Sequence, residues 1–130
     1  MLWALIHDEP QAQTWIDRVA EGRITAVAPG LIHVELANVL GKHVRAGRID
    51  LEMADERLTL ALDLPLEIIS TRVLARQGLA LAATRGVSVY DGLYLALALG
   101  YDAPLVTADR RLAAAVEVGG QGRAVLLPPV

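Results

Sequence analysis

The spacing of apolar positions changes along the chain, and each change marks an element. Ala12, Trp15, Ile16 and Val19 recur at helical spacing and predict a helix over residues Gln11–Ala20. The apolar stretch before it, Met1–His7, reads as the end of a preceding helix closed near Pro10. Ile24–Ala28 is short, β-branched and bounded by Gly22 and Pro29–Gly30, so a strand is expected there. Helical period returns over Leu31–Arg45 and stops before Gly47. Asp50 is placed to cap a helix over Leu51–Leu62. A strand over Leu66–Ile69 follows Pro65, and Ser70 or Thr71 caps a helix reaching Thr84. Ser88–Gly100 pulls two ways. Leu93, Leu95, Leu97 and Leu99 alternate as in a strand, yet Ala and Leu favour a helix, and the length suits a buried helix. Pro104–Thr107 predicts a strand, Asp109 opens a helix to Val118, and Ala124–Leu127 is a last strand. Strands alternating with helices predict an α/β protein, an α/β/α sandwich with a mainly parallel sheet.

Composition narrows the function classes. The 130 residues suit one domain, with 54% hydrophobic and 21% charged positions, which excludes disorder. The chain has no cysteine, so disulfides, thiolate metal sites and a cysteine nucleophile are excluded, and a reducing compartment fits. The formal charge of −3 gives no general electrostatic grip on nucleic acid. Aromatic residues are 4% of the chain, with no Phe, which argues against a base-stacking platform. The apolar start meets His7 and Asp8 at once, without a basic region before it, and uncharged stretches reach only about ten residues. A cytoplasmic protein with no membrane partner is expected.

Several familiar sites are absent, including a Gly-rich phosphate loop, GxSxG and HExxH. His7, His33 and His43 lack metal-ligand spacing. Three acids stand out by position. Glu35 interrupts the apolar run Leu31–Leu40, Asp91 opens the Ala/Leu segment, and Asp109 follows the strand ending in Thr107. Ligand sites in open α/β sheets lie at strand carboxyl ends, which favours Asp109. Carboxylates converging from separate elements suit Mg²⁺ or Mn²⁺. Two plainer roles stay open: Asp91 and Asp109 as helix N-caps, and Glu35 as a surface residue paired with an Arg.

The blocks Asp8–Pro10, Val34–Leu40, Val87–Ala98 and Leu105–Leu112 resemble a PIN domain, specifically the VapC-type toxins of bacterial toxin–antitoxin pairs. That resemblance implies a Mg²⁺- or Mn²⁺-dependent endoribonuclease held inactive by a cognate antitoxin, and a homodimer. Carried over by motif, Glu35, Asp91 and Asp109 match metal-binding acids, Thr107 a hydroxyl beside the site, and Asn38 a supporting donor one turn after Glu35. The family opens with a hydrophobic strand ending in a ligand Asp, and this sequence has no counterpart. Asp8 and Glu9 match the far end of the following helix and do not replace it. The expectation is an incomplete domain over residues 1–130, lacking its first central strand and unstable as a monomer, with Met1 a misplaced start. Roughly seven or eight residues then belong upstream, judged from the family pattern and ordinary strand length.

Asn38, Lys42 and Arg45 share a helix face with Glu35 and form a candidate RNA-binding strip, with Arg110 and Arg111 as further candidates. The plainer reading of the strip is a solvated helix end whose cations oppose the dipole. Trp3, Leu5 and Trp15 are candidates for a dimer interface or ordinary core packing. Two further functions stay in view: an inactive PIN-like module that binds an antitoxin or another protein, and an unrelated small α/β binding domain.

Overall fold

A computed structural model describes residues 10–128. The expected helix end over Met1–His7, the residues Trp3 and Leu5, and the absent first strand with its Asp all lie outside the described residues.

The elements follow the hydrophobic pattern closely. Helix α1 is Pro10–Ala20, strand β1 Val27–Pro29, α2 Leu31–Arg45 and α3 Leu51–Asp63. Then come β2 Glu67–Ile69, α4 Thr71–Arg85, α5 Val89–Gly100, β3 Leu105–Thr107, α6 Arg110–Val116, a short 3₁₀ turn Val118–Gly120 and β4 Ala124–Leu126. Each described strand is three residues long, shorter than the sequence pattern proposes. Pro29 at the end of β1 limits its ladder, since proline has no backbone N–H to donate.

Strands pair as β1 with β2 and β3 with β4. The β3–β4 ladder is parallel, matching Leu105 to Ala124, Val106 to Val125 and Thr107 to Leu126. Bonds from Leu105 N to Arg123 O (2.9 Å) and from Leu127 N to Thr107 O (2.8 Å) extend it at either end. The single sheet expected from the sequence is therefore two separate pairs among the described residues. No described strand hydrogen-bonds to both.

The chain forms two compact units. The first contains α1, α2 and α3. Leu36 and Leu40 of α2 meet Ala54 and Ala61 of α3, with Val44, Ile49 and Leu58 packed around them. Asp50 caps α3 as expected, its carboxylate accepting from Met53 N at 2.8 Å. On α1, the Arg18 guanidinium lies 5.3 Å from the centre of the Trp15 ring, a cation–π contact.

The second unit contains β1 and residues from Ile68 onward. Its core is Leu95 and Ala98 of α5, Leu105 of β3, and Leu112, Ala115 and Val116 of α6. Helix α5 is enclosed along its middle: Gly92, Leu93, Leu95, Ala96, Leu97 and Ala98 are all buried. This explains the ambiguous sequence signal. A helix covered on nearly every side has no polar face to impose a 3.6-residue period.

Helices α4 and α5 approach each other closely at two glycines. A Cβ built on Gly92 would lie 2.3 Å from the Gly78 carbonyl oxygen, and one on Gly78 would lie 2.8 Å from a Leu93 methyl. Glycine is required at Gly92, where the obstacle is backbone and cannot move aside.

Candidate active site

Asp91 and Asp109 both sit at helix starts, and they are used differently. Helix α5 is capped by Ser88, whose hydroxyl oxygen accepts from Asp91 N at 3.1 Å. Asp91 therefore lies inside the first turn, and the N-cap role left open for it belongs to Ser88. The spacing from Ser88 to Asp91 is that of a capping box, the local signal that identifies the cap. Helix α6 is capped by Asp109 itself. Its Oδ1 accepts from Arg111 N at 2.9 Å and from Leu112 N at 3.2 Å. Oδ2 takes part in neither bond. The N-cap reading of Asp109 is correct, and one oxygen remains outside it.

Thr107 joins strand to helix. Its Oγ1 accepts from Asp109 N at 3.1 Å, and its carbonyl accepts from Leu127 N. The hydroxyl thus fixes the backbone of Asp109 as the chain turns from β3 into α6. This is the strand carboxyl end where the sequence places a ligand site.

The two carboxylates sense each other. The Asp91 pKa is raised above its ordinary value of 3.8. Burial is the largest cause, because a desolvated carboxylate is harder to ionise, and the negative charge of Asp109 adds to it. A hydrogen bond with the Ser88 side chain and the positive charge of Arg111 act in the opposite direction. Asp91, half-buried and facing the charge of a second carboxylate, gains from a cation. Of the two arginines weighed in the sequence, Arg111 is the one whose charge reaches Asp91.

The other candidates fall in the first unit. Glu35 is half-buried on α2, with Asn38, Lys42 and Arg45 exposed along the same helix. The Arg45 guanidinium folds over Gly41, where an added Cβ would sit 3.6 Å from its Nη1. Lys42, His43 and Arg45 all occupy the last turn, where cations oppose the helix dipole. Among the described residues, no three His, Cys, Asp or Glu side chains group as a metal site. The structure therefore brings together Asp91 and Asp109, with Thr107, Ser88 and Arg111 around them. Also among the described residues, no helix is long and apolar enough to cross a membrane.

The PIN-domain family model matches residues 1–118. The chain belongs to the PIN-domain family. This PIN domain is similar to Ribonuclease VapC3 of Pyrobaculum aerophilum, 37% identical over 81 residues, which is 61% of this chain and 62% of that protein. It is also similar to Ribonuclease VapC1 of Mycobacterium tuberculosis, 35% identical over 91 residues, 68% of this chain and 65% of that protein. The matched stretch is thus less than two thirds of either curated relative. Among solved structures, the PIN domain is similar to PAE2754 from Pyrobaculum aerophilum, with a TM-score of 0.70 and 28% identity over 95% of this chain and 78% of that one. The helix-rich α/β architecture with parallel strands agrees with a PIN-like α/β/α fold.

Proposed function

We propose that this PIN domain is a divalent-metal-dependent endoribonuclease and the toxin of a toxin–antitoxin pair, acting in the cytoplasm. The observation that carries the reading is the coupling of Asp109, at the end of β3, with Asp91 in the first turn of α5, in a chain whose curated relatives are named ribonucleases. The donor set fits the metal. Mg²⁺ and Mn²⁺ take oxygen ligands, and Mg²⁺ is commonly held by one or two carboxylates with water and substrate phosphate completing the shell. Asp91 and Asp109 would hold the ion, and Glu35 is assigned as a further ligand by its place in the family motif alone. When bound, such an ion activates water and offsets charge on a phosphoryl group.

The chain's own residues prepare that chemistry. Backbone amides of Arg111 and Leu112 donate to one oxygen of Asp109 and hold its carboxyl in one orientation. Ser88 and the charge of Arg111 oppose protonation of Asp91, which burial and Asp109 favour. Thr107 sets where the Asp109 backbone turns. Arg111 also offers a cation toward an incoming RNA phosphate, and Lys42, Arg45 and Arg110 are assigned to phosphate contact by their charge and sequence position alone. Asn38 supports Glu35 from the next turn. A cognate antitoxin would block the acidic site with a basic side chain, and a homodimer completes the reading.

Incubation of the purified protein with single-stranded RNA tests this directly. Cleavage that requires Mg²⁺ or Mn²⁺ and is lost in Asp91→Asn supports it. No cleavage with either ion, together with retained binding of a partner protein, favours the inactive binding module instead.

A further inference from the structure

Helix α6 carries Asp109 at one end and is only seven residues long. A helix of about two turns does not hold its own position, because isolated short helices are marginal in water. Its N-terminus is fixed by the Asp109 cap. Its C-terminus is fixed by a residue far away in sequence. The Arg85 guanidinium, half-buried at the end of α4, donates from Nη1 to the carbonyls of Ala115 (2.7 Å) and Val116 (3.1 Å). From Nη2 it donates to Gln121 Oε1 at 2.9 Å. The two carbonyls belong to the last turn of α6, whose acceptors have no partner within the helix. A cation there also opposes the negative end of the helix dipole.

The same helix, α4, governs the other carboxylate. Gly78 of α4 lies so close to Gly92, the residue following Asp91, that a Cβ on Gly92 would collide with the Gly78 carbonyl. From Gly78 to Arg85 is two turns of α4, about 10 Å. One rigid element therefore meets α5 beside Asp91 and meets α6 at the end opposite Asp109. The seating of Arg85 is supported from below by Gly122. A Cβ there would collide with the Val116 carbonyl at 2.3 Å, so only glycine lets the chain after α6 pass close enough to bring Gln121 to the guanidinium.

We infer that Arg85 is a positioning residue for the metal site: through its clasp on α6 it sets the separation of the Asp109 carboxylate from Asp91. This rests on the metal-dependent reading above. Arg85 touches neither substrate nor ion; it acts through Asp109.

The test measures Mn²⁺ affinity by paramagnetic resonance of free Mn²⁺ at 10 °C, alongside the melting temperature. Val19→Ala, in the buried face of α1, serves as a destabilised comparator. Arg85→Ala is expected to weaken Mn²⁺ binding by roughly tenfold, the scale of losing an outer support of a metal ligand. Val19→Ala should melt earlier while binding Mn²⁺ as the wild type does. Arg85→Lys keeps one donor for the Ala115 carbonyl and should fall between wild type and Arg85→Ala. Wild-type affinity in Arg85→Ala overturns the assignment and leaves the metal reading intact. Should Arg85→Ala fail to fold, wild-type affinity in Arg85→Lys overturns it equally. An absence of Mn²⁺ binding in the wild type overturns the metal reading and the Arg85 assignment together.

Discussion

Helices α5 and α6 each have an Asp at their start, close enough for the charge of one to act on the other, and the two Asp residues have opposite energetic signs. Asp109 is the cap of α6, and its carboxyl oxygen satisfies two amides of the first turn, whose N–H groups have no acceptor within the helix. Asp91 sits one turn-position deeper in α5, where Ser88 already performs the capping. Its charge is partly desolvated and faces Asp109. The first acid stabilises the fold, and the second opposes it. A residue that the fold would gain by neutralising is a candidate for function on physical grounds alone.

The largest way to break this contrast is to displace the start of α5. Gly92→Ala places a methyl into the Gly78 carbonyl, and a loss of about 3 kcal/mol is expected in urea denaturation, at the upper end of overpacking costs. A loss below about 0.5 kcal/mol would mean the helices separate freely, well below the cost expected when a packed core is overfilled. Next comes the cap. Asp109→Ala should lose about 1 kcal/mol, whereas Asp109→Asn, which retains an accepting oxygen, should lose much less. Equal losses in the two variants would show that capping is not the role of the carboxylate.

The smallest effect has the reverse sign. Asp91→Asn should raise the melting temperature at pH 7. The folded protein binds the Asp91 proton more tightly than the unfolded chain, so ionisation disfavours folding. The penalty is complete above the raised folded pKa, shrinks as pH falls through it, and vanishes below the ordinary value of 3.8. The gain in Asp91→Asn should follow the same course and disappear at low pH. A constant gain across pH would assign it to packing. Saturating Mg²⁺ should relieve the same repulsion, raising the melting temperature of the wild type and not of Asp91→Asn. Equal shifts in both would place the ion elsewhere.

Local signals account for most of what the sequence revealed. The bounds of α2 agree with the expected Leu31–Arg45, because Gly30 and Gly47 punctuate a clear helical period. Ser70 and Asp50 cap where side-chain chemistry places them. Glu35, Asp91 and Asp109 stand out as candidates from their positions alone, and Thr107 enters through the family resemblance. What the sequence hides is long-range. Arg85 lies 30 to 36 residues from the groups it binds, and no local pattern links them. Gly78 and Gly92 are ordinary glycines until the helices cross. Ser88 is legible from its spacing to Asp91, since Ser three residues before an acid is the pattern of a capping box.

The double use of Asp109 has a consequence for genetics. Under the proposed toxin function, a selection for survivors collects both unfolded and folded-but-silent variants, and substitutions at Asp109 mix the two. Those at Asp91 do not, since they relieve the fold while removing the charge. A silent protein that must still reach its partners intact is best made at Asp91, and a library of survivors should be richer in full-length, well-expressed Asp91 variants than in Asp109 ones.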